Sequence, residues 1–322
     1  HGHPQIQLGT IAAGSNAGAT LASVHPQFSA VPELAGKVFA SVDVADLAKH
    51  DLVFMALPHG ESAAIAEKLP AEVKVVDLGA DFRLTSAAQW EKYYGGTHAG
   101  KWTYGLPELR DARAKIATSE RVANPGCYAT AIQVGLAPLL EAELIDATDI
   151  VVVAASGTSG AGRSAKVNLL GSEVMGSMST YKVGGLHQHT PEIEEALSNI
   201  AGKDVEVNFT PMLAPMPRGI LATISVKTSA TAEQLRACLA KTYDAEPFVA
   251  VLPEGQLPVT ASTLGVNAVH VQVAKDDRMN RATIITALDN LIKGAAGQAL
   301  QNANIMLGIA ETSGLSAIGV AP

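Results

Sequence analysis

Cys127 follows Pro125-Gly126 in the stretch VANPGCYAT (122–130), where a helical pattern begins. A Pro-Gly turn brings the first free N–H groups and the positive end of a helix dipole to face the next side chain. That setting predicts a lowered thiol pKa and a nucleophilic thiolate. The same spacing also suits a small buried apolar residue, and the residues alone leave both readings open. A metal-ligand role finds little support, because no second cysteine lies at ligand spacing. The other cysteine, Cys238, shares one face of an amphipathic helix with Leu235 and Leu239 and reads as core.

A nucleophilic thiol needs a base or an acid. The segment GGLHQHTPEIEE (184–195) offers His187 and His189. Thr190 reads as an N-cap, Pro191 as the first helical residue and Glu192 as a first-turn acid. Both histidines are therefore expected in the loop before the helix, free to point into a cleft. Their spacing does not say which would face the sulfur, and taken alone an H-x-H pair is as well read as a solvated loop. The loop SGTSGAG (156–162) follows an apolar strand pattern; its glycines let backbone approach a ligand closely, but it is not G-x-G-x-x-G and also reads as a plain strand–helix turn. Arg83, in GADFRL (79–84), stands past the end of a strand, where α/β proteins bind ligands. An arginine there can hold a carboxylate or phosphate with two N–H groups, or can simply be a loop residue.

Positioning such groups requires alternating elements, and the first third of the chain supplies them. IQLGTIAA (6–13), DLVFMALP (51–58) and VKVVDLGA (73–80) read as strands, with ESAAIAEKL (61–69) as a helix between the last two. This spacing predicts βαβ units and a parallel sheet. CYATAIQVGLAPLLEAELI (127–145) reads as a helix with Ile132, Leu136, Leu139 and Leu140 on one face and a kink at Pro138. DIVVVAA (149–155) reads as a strand running into the loop at 156–162, and VEVNFTPM (205–212), GILATISVKT (219–228) and NAVHVQVAK (267–275) then read as strands of a mixed or antiparallel sheet. Thr231 is expected to cap a helix over 232–243, and GAAGQALQNANIML (294–307) reads as a terminal helix.

The chain has 322 residues, which suits two domains better than one. Apolar residues make up 48% and aromatic ones 4%, so the core must be aliphatic. A net charge of −8 argues against nucleic acid, whose phosphates need a basic face. No apolar run approaches the ~20 residues of a membrane span. Two cysteines far apart are no disulfide framework, and with no visible signal peptide they point to a reducing cytoplasm.

Together these segments resemble the N-acetyl-gamma-glutamyl-phosphate reductases of arginine biosynthesis. The matching stretches are LPHG (57–60), VVDLGADFRL (75–84), YGLPEL (104–109), PGCY (125–128), SGTSGAGR (156–163), LHQHTPEI (186–193), FTPML (209–213), PRGILAT (217–223) and DNLIKGAAGQALQ (289–301), in family order. The resemblance implies an α/β fold: a Rossmann-like domain over 1–127 and 290–322, and an α+β catalytic and oligomerisation domain over 128–289. It also implies NADPH-dependent reduction of an acyl phosphate, with release of inorganic phosphate, in a homodimer or homotetramer. Carried over residue by residue, Cys127 is the nucleophile and His189 the acid/base, with His187 as the alternative or a substrate contact. Arg83, Tyr181 and Glu192 are implied to bind substrate. Ser15, Pro58, Ser156, Gly157, Gly160, Asn290 and Gln298 are implied to contact NADP(H), and no metal is implied. The family opens with a strand and a G-x-x-G-x-x-G loop for the pyrophosphate. The segment from His1 matches only from the end of the family's first helix, so the natural protein is expected to carry that opening.

Two other classes fit parts of this pattern. A related reductase could act on an aspartyl or aminoadipyl phosphate with the same site logic. A cysteine–histidine hydrolase would use Cys127 without a redox cofactor, and the serine–glycine loop and the segment around Asn290 speak against it.

Overall fold

The computed structural model describes residues 1–320. Two sheets organise it. Strands β1 (Leu52–Met55), β2 (Lys74–Asp77), β3 (Thr103–Tyr104) and β4 (Arg121–Ala123) form a four-stranded sheet in the order β1-β2-β4-β3. Every pair in it is parallel, with Val53 opposite Val75 and Val75 opposite Arg121. The second sheet has seven strands: β5 (Ile150–Ser156), β6 (Ser179–Thr180), β7 (Val207–Leu213), β8 (Ile220–Lys227), β9 (Val249–Val251), β10 (Val269–Asp276) and β11 (Arg281–Leu288). Their order is β6-β7-β5-β8-β11-β10-β9, with β5–β7 and β9–β10 parallel and the other neighbours antiparallel. The mixed sheet expected from the change of pattern after residue 162 is therefore present, and it also takes in β5.

Residues 6–13 do not form the expected strand. Ala12 makes a single bridge to Ala40, flanked by hydrogen bonds from Ala13 N to Ala40 O and from Ala40 N to Ile11 O, both 2.9 Å. The apolar pattern finds only this short neighbour, and without a partner of matching length the ladder stops after one rung.

Helix α1 (Cys127–Glu141) lies at the centre of the molecule. All residues from Tyr128 to Leu140 are buried, so it is enclosed on every side rather than carrying one apolar face. Gly135 is where it meets the mixed sheet: a Cβ there would lie 3.1–3.3 Å from Thr286, Ile284 and Ile224. Pro138 sits inside the helix and has no N–H to give the carbonyl of Val134, one turn back. The hydroxyl of Tyr243 donates to that carbonyl at 2.6 Å. Tyr243 ends helix α3 (Ala232–Tyr243), whose start carries the capping box expected at Thr231, completed by Gln234.

Between these comes α2 (His189–Ala201), which begins earlier than the N-cap reading of Thr190 predicts. His189 is its first residue, and the Thr190 hydroxyl is buried without a partner. The C-terminal helix α4 (Gly297–Met306) is preceded by a π turn, Ile292–Ala296, where a continuous helix was expected. Ala299, Ala303 and Met306 of α4 pack with Val76, Ile116 and Val122, next to the parallel sheet. Among the described residues, no helix is long and apolar enough to cross a membrane.

The Val134 carbonyl generates a double-mutant test. Tyr243→Phe leaves it buried and unpaired, which should lower unfolding free energy by about 1–3 kcal/mol. In a Pro138→Ala background, position 138 regains its N–H and the Tyr243→Phe cost should shrink. Urea unfolding of the four proteins measures the coupling, and equal costs in both backgrounds would refute this account of Tyr243.

Candidate active site

The site is assembled around the first turn of α1. Gly126 is the N-cap residue and Cys127 the first helical one, so the expected Pro-Gly turn before a helix is present. The N–H groups of Cys127 and Tyr128 act on the sulfur and favour the thiolate. Burial acts more strongly in the other direction and pushes the thiol up to about 11. The lowered pKa expected from helix position alone is therefore corrected: in this enclosed setting desolvation outweighs the dipole.

His189, opening α2, places its imidazole directly on Gly126. A Cβ at position 126 would lie 2.5 Å from His189 Nε2 and 2.6 Å from Cε1. Burial, reinforced by the positive field of Arg83, holds its pKa well below 6.5, and its Nδ1 is buried without a partner. His187 stands behind it, the ring centroids 4.8 Å apart. The Nδ1 of His187 accepts the His189 backbone N–H at 3.0 Å, which leaves the proton of a neutral His187 ring on Nε2. Edge contacts from Tyr128, Tyr181 and Phe209 enclose that ring at 5.2–5.6 Å. The Tyr181 hydroxyl donates to that of Tyr128, which donates to Met212 O.

Glu192 links these parts. One carboxylate oxygen accepts from the Gly126 N–H and from the Tyr104 hydroxyl, each at 2.7 Å. The other lies 3.2 Å from Arg83 Nη1. Both side chains are almost fully buried, with 5% of Arg83 and 1% of Glu192 exposed. Burial opposes the charge on Arg83, and Glu192 together with Tyr94, Tyr104 and Asp77 more than offsets it, so the guanidinium stays protonated. Arg83 also donates to Asn124 O at 2.8 Å and Leu78 O at 2.9 Å. Arg83 and Glu192 were expected to contact substrate. In the structure their polar atoms are largely engaged inside the protein, and Glu192 holds the turn before Cys127.

The residues expected at the cofactor fall into three places. Ser156 ends β5 and Gly157 and Gly160 follow it, with Asn290 beside them donating to Ser159 Oγ and accepting from the Gly219 N–H. Two of these glycines are needed for close approach. A Cβ at Gly157 would lie 2.7 Å from the Arg218 backbone, and one at Gly160 would lie 2.8 Å from Ser156 Oγ. Gln298 is buried on α4, its Oε1 lacks a partner, and its amide nitrogen reaches only to 3.5 Å from Asn302. Ser15 and Pro58 are on exposed turns, the first next to an open groove bordered by Asn16, Ser23, Val24 and Arg163. At these glycines the missing Cβ admits the protein's own atoms, and the unpaired Oε1 of Gln298 is an acceptor that suits a polar cofactor.

Several residues of the site carried no role in the sequence reading. Tyr104 and Gly126 lie in matched motifs, YGLPEL and PGCY, yet only the fold shows that both bond Glu192. His59, in LPHG, rests edge-on against Tyr94, and its loop is held by Asp81, which accepts from the Gly60 N–H at 2.7 Å. Behind the Arg83–Glu192 pair is a cavity of about 300 Å³ bordered by Lys101, Trp102, Leu109, Lys115 and Ile200; the cysteine does not line it.

Comparison with known proteins places this geometry. The chain matches the model of the semialdehyde dehydrogenase NAD binding domain over residues 1–118 and that of the semialdehyde dehydrogenase dimerisation domain over 127–290. The fold is shared with solved aspartate semialdehyde dehydrogenases: one from Francisella tularensis, with a TM-score of 0.65 at 14% identity over 92% of this chain and 91% of that one. Another, from Candida albicans and solved with NADP, has a TM-score of 0.67 at 16% identity over 95% and 92%. The protein is thus a two-domain α/β oxidoreductase of the semialdehyde dehydrogenase class, with a nicotinamide-nucleotide-binding domain and a dimerisation domain.

The sequence relatives narrow the class. Proteins named N-acetyl-gamma-glutamyl-phosphate reductase are 59% identical in Acidothermus cellulolyticus and 57% in Frankia casuarinae, each over 99% of this chain and 93% of the relative. In Mycobacterium avium the identity is 51% over 100% and 93%. The chain belongs to the N-acetyl-gamma-glutamyl-phosphate reductase family.

The contact between His189 and Gly126 gives a sharp test. Gly126 has an ordinary φ of −72°, so Gly126→Ala adds no backbone strain and acts only through its Cβ. It should displace the buried imidazole, reduce kcat about 10²-fold and lower stability by about 1–3 kcal/mol. Steady-state kinetics beside thermal unfolding measure both, and native kcat would show that the ring position is immaterial.

Proposed function

We propose that this protein reduces N-acetyl-γ-glutamyl phosphate to the semialdehyde with NADPH, in the cytoplasm, as a homodimer or homotetramer. The cofactor unit comprises 1–127 and 290–322, and the substrate unit 128–289. The identity of 51–59% over essentially the whole chain to reductases of that name carries the reading. The contacts around Cys127 support the chemistry.

Cys127 and His189 meet at the same turn, where the His189 ring rests on Gly126, and both are held toward their uncharged forms, a thiol and an imidazole rather than an ion pair. The imidazole accepts the S–H proton as the sulfur attacks the acyl carbon. The C–O bond to phosphorus breaks, inorganic phosphate leaves, and a thioester remains on Cys127. Ser156, Gly157, Gly160, Asn290 and Gln298 would hold NADP(H), which when bound supplies the hydride. The imidazolium of His189 gives its proton to the oxygen of the resulting thiohemiacetal. It takes that proton back as the C–S bond breaks and the aldehyde forms. His187, through its bond to the His189 backbone, fixes where that imidazole stands. Glu192, paired with Arg83, holds the Gly126 N–H and so the start of α1.

Cys127→Ser should lower kcat by about 10³-fold or more while the protein stays folded and still binds NADP⁺. One nucleotide should be oxidised for each phosphate released. Phosphate release without oxidation would instead mean a hydrolase, and comparing kcat/KM for NADPH and NADH tests the cofactor choice.

The pH dependence follows from the same two groups. With His189 neutral far below 6.5 and Cys127 protonated to about 11, neither changes state near neutrality. The value of kcat/KM should therefore vary little between about pH 6 and about pH 8. A limb near pH 6.5 in a rate profile would contradict the buried, neutral histidine.

A further inference from the structure

Lys293 and Glu108 are both wholly buried, with Nζ and Oε1 2.6 Å apart. Lys293 also donates to Gln301 Oε1 at 2.7 Å, and Gln301 donates to Glu108 Oε1 at 2.9 Å and to Glu311 Oε1 at 2.7 Å. Arg113 extends the cluster, bonding Glu311 at 2.8 Å and Glu246 at 3.0 Å. An ion pair this deep is costly to desolvate, and a pair of apolar side chains would commonly pack there as well. Its placement gives a reason for it.

Lys293 stands inside the π turn Ile292–Ala296, and its neighbour Gly294 touches the nucleophile's own backbone. A Cβ at Gly294 would lie 2.7 Å from Cys127 Cβ and 3.2 Å from its Cα. π turns are rare and concentrate at functional sites, because the wider ring is easily lost to an ordinary α turn. Here Gly294 N bonds Asp289 O and Ala296 N bonds Leu291 O, both 3.0 Å, five residues back in each case. Glu108 belongs to the segment that continues from β3, whose Tyr104 hydroxyl holds Glu192 and through it the Gly126 N–H. One buried pair therefore joins the two supports of Cys127: the π turn behind its Cβ and the Tyr104–Glu192 contact in front.

We propose that Lys293 and Glu108 are positioning residues for Cys127, clamping the π turn against it and tying that turn to the segment that orients Glu192. The inference rests on Cys127 being the nucleophile.

The test uses the full chain and the variants Lys293→Met with Glu108→Met, which remove both charges and leave neither ion stranded. Cys127 alkylation by iodoacetamide is followed at that peptide against pH, beside kcat, KM and melting temperature. If the pair positions the cysteine, the double variant folds, kcat falls about tenfold or more and KM changes less than about twofold. The alkylation midpoint also moves by about one pH unit, because the sulfur no longer sits squarely over the helix N–H groups. A merely structural pair would leave kcat and the alkylation profile native, and that result overturns the proposal. Should the double variant not fold, Glu108→Gln decides: native kcat and a native alkylation profile overturn the proposal, and a shift in both supports it. Cys127→Ser is run in parallel. If it keeps full turnover, the nucleophile assignment fails, whereas alkylation still reports the position of residue 127.

Discussion

The carboxylate of Glu192 is the point at which the separate parts of the site meet. It takes hydrogen bonds from Gly126 and Tyr104 and a charge from Arg83, all away from water. A buried ion pair is stabilising only when its remaining polar atoms are also satisfied. Here each oxygen has a partner, and the helix bearing Glu192 is further tied to α1 by Gln133 donating to the Glu192 carbonyl. Removing either charge would strand the other, so the geometry of the turn before Cys127 is enforced by a penalty as much as by attraction.

The enclosure that makes those bonds strong also sets the electrostatics of the reacting groups. Desolvation raises the thiol and lowers both histidines, so the resting pair is neutral. A thiol held in its neutral form is less open to adventitious oxidation, which acts on the thiolate. In the proposed reaction it becomes a nucleophile as its proton moves to the imidazole of His189. The helix N-terminus still contributes, because it stabilises negative charge on sulfur as that charge develops.

Close approach of backbone to side chain recurs around the cysteine. Gly126 admits the His189 ring, Gly294 admits the Cys127 Cβ, and Gly157 admits the Arg218 backbone. None of the three has a positive φ, so what matters at each is the missing side chain rather than backbone freedom. These contacts bring the π turn, the start of α1 and the start of α2 within one side chain's reach of each other.

Much of this was legible in the residue order. Parallel strands near 52–55 and 74–77, the mixed sheet, the capped helix from 232 and the helix opening at Cys127 all follow from local periodicity and capping chemistry. The motifs also identified the family and singled out Cys127, His187, His189, Arg83 and Glu192. Their relations were not legible. The start of α2 at His189, the inward turn of Glu192 onto Gly126, the burial of Lys293 and the absence of a strand over 6–13 depend on partners far along the chain. Arg83 and Glu192 are 109 residues apart, and Lys293 and Glu108 are 185 apart. Local order determined which elements form and which reactive side chains they carry, because propensity, capping and periodicity act within a few residues. Only the tertiary structure decided which groups are dry, which are paired and whether the thiol is charged, because desolvation and hydrogen bonding depend on what surrounds an atom in space.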